Sequence, residues 1–274
     1  MRIAVVAPST PVRRETAERV TALASALRPE VELVFAEQCF VRHKHFAGTD
    51  AVRAESFVAA ANDPAFDALW FARGGYGSCR IAEDVIARLG PPARAKTYLG
   101  YSDAGFMLAG LYRAGFEQVA HGPMPNDLLR QGGEAAVARA LAWLAERDPA
   151  AVEAGLGAQP AAAFNITVLS NLLGTALEPD LTGHELLIED VAEHMYRTDR
   201  TLFHLTSTAS IRRVAGIRLG RCTEVPVNEP DFGESEEEVV RHWCGHSGIA
   251  FLGHADIGHD AANKVVPFGR VAMP

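Results

Sequence analysis

The feature that most constrains this chain is a repeated alternation, through its first half, of short apolar runs with segments of helical periodicity. Five runs predict β-strands, and a helical pattern follows each of them: RIAVVAPS, EVELVFA, DALWFA, KTYLGY and QVAHGP. Apolar residues three or four positions apart, as at Val20, Leu23 and Leu27, indicate the helices. Strands that are separated by helices pair in parallel, because each helix returns the chain to the same end of the sheet. The sequence therefore predicts an α/β fold with a parallel sheet and helices on both faces.

The alternation of predicted strands and helices changes near residue 148. Residues 149–162 contain few large apolar side chains and are rich in Ala, Gly and Pro, which is typical of a linker. Beyond them the predicted strands are shorter and more mixed. We therefore predict three parts: an α/β domain over residues 1–148 that carries the candidate nucleophile, a linker over 149–162, and a smaller, β-rich α+β domain over 163–274 that carries the candidate acid and base.

Charge and hydropathy limit the class of protein. The formal net charge of −8 argues against nucleic acid as a partner, since phosphate binding requires a basic face. No apolar run approaches the ~18 residues that a membrane span requires, and the N-terminal run IAVVA is too short for a signal peptide. The four cysteines are scattered without a CxxC pair, so reduced thiols are expected. We predict a cytoplasmic protein that binds neither nucleic acid nor membrane.

A serine lies at the corner between a predicted strand and a predicted helix, in the stretch Gly100-Tyr101-Ser102-Asp103-Ala104. Small residues two positions before and after the serine suit a sharp turn that exposes the serine oxygen as a nucleophile. The amide of Asp103 would then lie at a helix N-terminus, where it can stabilise an oxyanion. This pattern is common by chance, so a helix cap at Ser102 or Asp103 stays the simpler interpretation of the stretch alone.

A glycine-rich loop, ARGGYGSCR over residues 72–80, follows the third predicted strand. Such loops present backbone N–H groups to anions, although this one has neither the Walker A nor the dinucleotide-binding spacing. If Ser102 is a nucleophile, Gly74 or Gly75 could supply the second oxyanion N–H. The alternative is a tight turn that requires positive φ.

A nucleophilic serine requires a base, and the base requires an acid that orients it. Among the ten histidines, His259 follows a predicted strand and a glycine, in a loop that suits a base. Glu189 ends the apolar run 186–188, where a strand emerges, and is the candidate acid; a helix-start cap is the alternative. The stretch RHWCGH, residues 241–246, does not have a zinc-site spacing, so no metal is predicted.

Taken together, these motifs resemble the LD-carboxypeptidases, a family of serine peptidases. The shared stretches are RGGYG, GYSD, LLIED and GHADIGH, in this order along the chain. The resemblance implies that Ser102 is the nucleophile, His259 the general base and Glu189 the acid that orients it, with the amide of Asp103 and a glycine of RGGYG as the oxyanion hole. It also implies an N-terminal flavodoxin-like three-layer domain, a C-terminal β-rich domain, a homodimer, and no metal or cofactor.

The activity that the resemblance implies is hydrolysis of an L,D peptide bond that releases a C-terminal D-amino acid. The expected substrate is a small peptide, with D-Ala released from the murein tetrapeptide during peptidoglycan recycling. One alternative keeps the triad and acts on peptidyl nucleotides of the microcin C type or on other peptide amides. Another is a flavodoxin-like small-molecule binding protein without catalysis.

Residues that would bind the substrate are less specific in the sequence. An exopeptidase must recognise a free carboxylate, and Arg73 and Arg80 flank the glycine-rich loop. Arg73 could instead form a salt bridge between domains, and Arg80 could extend from its helix into solvent. Tyr76 is a candidate for packing on the substrate. The chain departs from the family pattern at 163–165, where Ala-Phe-Asn replaces the usual Gly-Gly-Asn.

Overall fold

The structure is a computed structural model that describes residues 1–270. The strands of this region form two sheets. In chain order they are β1 (Arg2–Val6), β2 (Glu32–Phe35), β3 (Ala68–Phe71), β4 (Thr97–Gly100), β5 (Val119–His121), β6 (Ala161–Asn165), β7 (Glu185–Val191), β8 (Gly216–Thr223), β9 (Phe251–His254) and β10 (Val266–Pro267).

Helices connect most of these strands. In chain order they are α1 (Arg14–Leu27), α2 (Asp50–Asn62), α3 (Ala82–Ala87), α4 (Pro91–Arg94), α5 (Gly105–Arg113), α6 (Gly133–Glu146), α7 (Ile166–Leu172), α8 (Met195–Ser207) and α9 (Glu236–Ser247). Side chains determine where several of them begin. Asn165 accepts from the backbone N–H of Val168 at 3.1 Å, for example, and so caps the start of α7.

The first sheet has the order β2-β1-β3-β4-β5-β10, with its first five strands parallel and β10 antiparallel to β5. Alternate residues of β1 point to opposite faces: Ile3 and Val5 pack with α1 and α6, while Ala4 and Val6 pack with α2, α3 and α5. Both faces of the sheet are therefore buried beneath helices. The order 2-1-3-4-5 is that of flavodoxin-like folds, and it confirms the predicted three-layer α/β architecture.

The second sheet has the order β6-β7-β8-β9, and all of its pairs are parallel. A helix follows each of β6, β7 and β8, so this part is built from strand–helix units. The two-part fold is confirmed, but the α+β expectation for the C-terminal part is corrected to a parallel α/β arrangement. The predicted boundaries at 148 and 163 stay predictions; β10, from the end of the chain, pairs with the first sheet.

The two sheets meet where α5 packs against α7. A Cβ atom added to Gly105 of α5 would lie 2.9 Å from Cγ1 of Val168 on α7, so the glycine permits the close approach. One hydrophobic cluster spans this contact and includes Phe106 and Phe164. Because β4 leads into α5 and β6 leads into α7, the carboxyl ends of the two strands lie beside each other. A site at this junction can therefore contain residues that follow strands of both sheets.

Two expectations about the environment of the chain can be compared with the structure. Each of the four cysteines is a free thiol, as expected for reduced residues. Between residues 1 and 270, no helix combines the length and the apolar character needed to cross a membrane.

Candidate active site

Ser102 lies on a strained turn between β4 and α5. Its φ of 60° places a non-glycine residue in the left-handed region, which costs on the order of 1–3 kcal/mol and is concentrated at functional sites. The small neighbours predicted from the sequence are required here. A Cβ atom on Gly100 would lie 2.6 Å from the ring of Phe71 and 3.2 Å from Cβ of Ala104. The turn has the geometry of a strand-to-helix elbow that presents its serine.

The capping interpretation of this turn is not supported. The N-cap residues of the turn and of α5 are Tyr101 and Ala104, not Ser102 or Asp103, and neither cap has a side-chain hydrogen bond. The buried Asp103 side chain instead ties the turn to two other loops, since it accepts from the Ser9 hydroxyl and, at 2.9 Å, from the Ser78 backbone N–H. The Asp103 carboxylate thus holds the elbow in position. The oxyanion role of its backbone amide stays a prediction.

The glycine-rich loop lies directly against Ser102. A Cβ atom on Gly74 would be 2.9 Å from both Cβ and Oγ of Ser102. Gly75 has a φ of +101°, and its added Cβ would meet the Thr10 side chain at 2.6 Å. The Thr10 hydroxyl donates to the Gly74 carbonyl oxygen at 2.6 Å and so fixes the loop. The loop therefore has the positive φ expected of a tight turn, at Gly75, and it also approaches Ser102 closely, at Gly74.

We expect Gly74→Ala to lower kcat for peptide hydrolysis about 10- to 100-fold, because the new methyl group must displace Ser102 and overpacking of this kind costs about 1–3 kcal/mol. Steady-state kinetics and the rate of Ser102 labelling by a fluorophosphonate measure the effect. Gly245→Ala is the matched control: its added Cβ has no neighbour within 4 Å, so kcat should stay unchanged. An unchanged kcat in Gly74→Ala would contradict the assigned contact.

Glu189 and His259, seventy residues apart in sequence, are joined by a buried hydrogen bond. His259 Nδ1 donates to Glu189 Oε2 at 2.6 Å, and the two side chains are 5% and 0% exposed. A β-bulge positions the acid, because the register between β7 and β8 shifts at Glu189. Gly220 lies opposite, where a Cβ atom would be 2.8 Å from the Ile257 carbonyl oxygen and 3.1 Å from Glu189 Cβ. The glycine therefore lets the His259 loop approach the acid.

The electrostatic environment of His259 favours its protonated form. Burial alone would lower the pKa of the imidazole, but the charge of Glu189 and its hydrogen bond raise it, and the pKa is raised overall from the ordinary value of 6.5. The same bond holds Nδ1 as the donor, so Nε2 is the nitrogen that is left to accept a proton. This is the arrangement that a general base requires.

The Ser102 and His259 side chains do not hydrogen-bond to each other in this structure. His259 Nε2 is buried and has no partner among residues 1–270. The Tyr101 ring, next to Ser102 in the chain, lies 4.8 Å from the imidazole between centroids. Catalytic hydrogen bonds are often longer in the absence of substrate and tighten when it binds. The structure thus joins Glu189 to His259 and leaves the His259 ring against Tyr101, the residue before Ser102.

Several residues that sequence reasoning missed support this group. Tyr101 donates its hydroxyl to Asp127 Oδ1 at 2.7 Å, and Arg130 Nε donates to the same oxygen at 3.2 Å. Next to His259 in the chain, the Gly258 N–H donates to Asn263 Oδ1 at 3.3 Å, and His121 Nε2 donates to the same oxygen at 3.2 Å. No local pattern marks these residues. The only available signal was that His121 lies in the fifth predicted strand and Asp127 shortly after it, at the same sheet edge as Ser102.

A cavity of about 480 Å³ opens beside Ser102 and is lined by residues of both sheets. Its polar lining includes Tyr76, Asn165, Asp190 and Glu193, and its lining residues include no lysine or arginine. Burial and the nearby charge of Glu189 raise the pKa of Asp190 to about 6. Asp190 accepts from Asn165 Nδ2 at 2.7 Å and so holds that side chain at the cavity wall. The cavity can accommodate a group that carries positive charge.

The three candidate substrate-binding residues in and beside the glycine-rich loop differ from one another in their contacts. Arg73 is exposed and donates to the Pro11 carbonyl oxygen at 3.3 Å. Arg80 is bound to Asp50 at 2.7 Å, which accounts for its position without a ligand. Tyr76 is half exposed and lines the cavity beside Ser102. Of these three, Tyr76 is thus the residue that the structure brings to the cavity.

No group of three or more His, Cys, Asp or Glu side chains in the described part of the chain could hold a metal ion. In the RHWCGH stretch, His242 and His246 are one turn apart on α9 with stacked rings 6.5 Å apart, while Cys244 is buried. These three side chains do not converge on one point.

Known proteins match the chain over almost its whole length. A family model described as the LD-carboxypeptidase N-terminal domain matches residues 3–122, and one described as the LD-carboxypeptidase C-terminal domain matches residues 162–273. The murein tetrapeptide carboxypeptidase of Pseudomonas aeruginosa is 26% identical, over 99% of this chain and 92% of that protein.

Solved structures share the fold. The crystal structure of muramoyltetrapeptide carboxypeptidase from Oxalobacter formigenes has a TM-score of 0.82 at 22% identity, and covers 98% of this chain and 93% of that one. The microcin C7 self-immunity protein MccF, in complex with glutamyl sulfamoyl guanosine, has a TM-score of 0.80 at 17% identity, over 98% and 91% of the two chains.

Proposed function

The chain belongs to the LD-carboxypeptidase family, and from that premise we propose that it is a serine carboxypeptidase that cleaves an L,D peptide bond. The proposed reaction releases D-Ala from the murein tetrapeptide L-Ala-γ-D-Glu-meso-diaminopimelate-D-Ala. The observation that carries the proposal is the buried hydrogen bond between Glu189 and His259, whose imidazole lies against Tyr101, the residue before Ser102 on the strained elbow.

The proposed mechanism begins when His259 Nε2 takes the proton of the Ser102 hydroxyl as its oxygen attacks the carbonyl carbon before D-Ala. The amide of Asp103 and a glycine N–H of the 73–77 loop stabilise the resulting oxyanion. Collapse of this intermediate breaks the C–N bond, and the imidazolium gives its proton to the leaving amine. Water, deprotonated by His259, then hydrolyses the ester on Ser102. Throughout, Glu189 holds the imidazole tautomer and stabilises its charged form.

The charge of the cavity supports a murein peptide over a peptidyl nucleotide. The diaminopimelate side chain ends in a free amino acid group of no net charge, and its ammonium can donate to the Glu193 carboxylate at the cavity wall while its carboxylate lies toward solvent. Glu193 also faces Arg197, but across 3.5 Å and on a half-exposed surface, so this pair is weak. A nucleotide phosphate would meet Asp190 and Glu193 without a lining cation to offset them.

We expect Glu193→Gln to lower kcat/KM about 3- to 10-fold for the diaminopimelate tetrapeptide, since a partly exposed charge pair contributes about 1 kcal/mol. The kcat/KM for the same peptide with 2-aminopimelate in place of diaminopimelate should change little, because that residue keeps the distal carboxylate and lacks only the ammonium group. The exposed Glu18→Gln on α1 is the control for overall charge. An equal loss for both peptides would contradict the assigned contact.

The direct test is incubation of the purified protein with the tetrapeptide and detection of free D-Ala by mass spectrometry. Release of D-Ala supports the proposal. No release, together with hydrolysis of an aminoacyl sulfamoyl nucleoside, would favour the peptidyl-nucleotide alternative instead. Stoichiometric binding without turnover of any of these compounds would favour a binding protein.

Two further expectations belong to this proposal. The homodimer implied by the family can be tested by light scattering of the purified protein. A cytoplasmic role in peptidoglycan recycling can be tested by fractionation of the source cells and by the accumulation of tetrapeptide in cells that lack the protein.

A further inference from the structure

We propose that Arg130 binds the C-terminal carboxylate of the residue that the enzyme releases. The proposal rests on the proposed serine carboxypeptidase function and names the group that would make the enzyme an exopeptidase. The two arginines that flank the glycine-rich loop suit this role less well than Arg130, since Arg80 is bound to Asp50 and Arg73 is exposed.

The chemistry of the proposed reaction determines on which side the carboxylate must lie. The leaving amine takes its proton from His259, so the leaving residue lies on the imidazole side of the scissile bond. Its carboxylate is only two bonds from the leaving nitrogen. The receptor for that carboxylate must therefore be near His259. The acidic cavity, whose lining does not include His259, suits the acyl part of the substrate.

Arg130 is connected to His259 through two contacts. Its Nε shares the oxygen Oδ1 of buried Asp127 with the hydroxyl of Tyr101, and the Tyr101 ring lies on the imidazole at 4.8 Å. The segment that carries Arg130 crosses the carboxyl edge of the first sheet, because the Asn126 N–H donates to the carbonyl oxygen that follows β3 at 3.1 Å. Arg130 thus lies at the same edge as the elbow. The positive charge of Arg130 is also among the causes that act to lower the pKa of His259.

The guanidinium of Arg130 retains capacity for a ligand. It has five N–H donors. Asp127 holds Nε, and Glu224 faces Nη1 across 3.4 Å. Within residues 1–270, Nη2 donates to no protein group, and the side chain is 32% exposed. Glu224 is 64% exposed, so a substrate carboxylate can replace it without burying an unpaired charge.

Asp127 makes Arg130 a rigid receptor. The Asp127 carboxylate also accepts from the Met124 N–H at 2.8 Å, so it is fixed on three sides by Met124, Tyr101 and Arg130. An arginine held through Nε presents its terminal nitrogens in one plane, which matches the two oxygens of a carboxylate. A free C-terminus would be bound at Arg130, whereas a C-terminal amide or a longer peptide would not.

The experiment varies the protein and the substrate together. The kcat/KM values of the wild type, Arg130→Gln and Arg130→Lys are measured on the tetrapeptide and on its C-terminal D-Ala amide. We expect the wild type to prefer the free acid, and Arg130→Gln to lose about 10- to 100-fold on the acid with less than 3-fold change on the amide. Arg130→Lys should recover part of the loss. Arg241→Gln, on the exposed face of α9, is the matched control.

An equal loss on both substrates would overturn the proposal, because it would mean that Arg130 acts only through Tyr101 and the fold. Loss of acid preference in Arg73→Gln but not in Arg130→Gln would overturn it as well.

Calorimetric binding of acid and amide to Ser102→Ala, with and without Arg130→Gln, needs no turnover. If the wild type does not hydrolyse the peptide, the proposed function fails. An Arg130-dependent preference for the acid in binding would then still support the carboxylate site, and its absence would overturn it.

Discussion

Replacing Ser102 by alanine should abolish release of D-Ala, with a loss in kcat of about 10⁴- to 10⁶-fold, while the free energy of unfolding changes by less than about 0.5 kcal/mol. The loss is expected because the nucleophile is removed and only the oxyanion hole and substrate binding remain. Stability should persist because Ser102 is not the N-cap residue of the turn or of α5. Mass spectrometry of the product and urea unfolding measure the two quantities.

Ser102→Gly is the matched variant for the strained turn. It should be equally inactive and at least as stable as Ser102→Ala, because glycine adopts a φ near 60° without the strain of a side chain. If Ser102→Ala kept full activity, the elbow would have only a structural role and the proposed mechanism would be wrong. If it unfolded the protein, the turn would depend on a serine contact that the structure lacks.

Much of this fold could be predicted because its signals are local. The apolar run of β1 between polar segments indicates a strand that is buried on both faces, and five such units imply a parallel sheet. The elbow could also be anticipated, since Gly100 and Ala104 lie at fixed offsets from Ser102. Both features depend on residues that are near one another in the chain.

The features that could not be predicted depend on pairing between distant segments. The register shift at Glu189 lies opposite Gly220, over which the Ile257 loop packs, and neither feature has a local signature. The parallel pairing of the second sheet was missed for a related reason. β6, β7 and most of β8 are buried, but the edge strand β9 alternates between partly buried and exposed residues, so the pattern of a buried parallel strand is weak there. Arg130 was missed because its role depends on Tyr101 and Asp127, from other segments.

The pH dependence of kcat/KM should change when Glu189 is replaced by glutamine. His259 acts as a base only when neutral, so activity rises with pH through its pKa, which the charge and hydrogen bond of Glu189 raise above 6.5 against the effect of burial. In Glu189→Gln the two larger causes that raise the pKa are lost. Burial and the charge of Arg130 still lower it and outweigh the smaller effect of Asp127, so the acidic limb should shift to lower pH, below 6.5. The maximal rate should fall about 10³- to 10⁴-fold, because the imidazolium is no longer stabilised.

The shift in the acidic limb separates an orienting carboxylate from a merely structural one. A structural defect would lower kcat/KM at every pH and leave the midpoint pH of the acidic limb unchanged. Asp190, whose pKa burial raises to about 6, titrates in the same range and must be distinguished. Asp190→Asn should keep a limb above 6.5, since His259 retains Glu189. Proton NMR of the His259 ring, in Ser102→Ala with and without Glu189→Gln, reads the pKa directly. An unchanged His259 pKa would contradict the role assigned to Glu189.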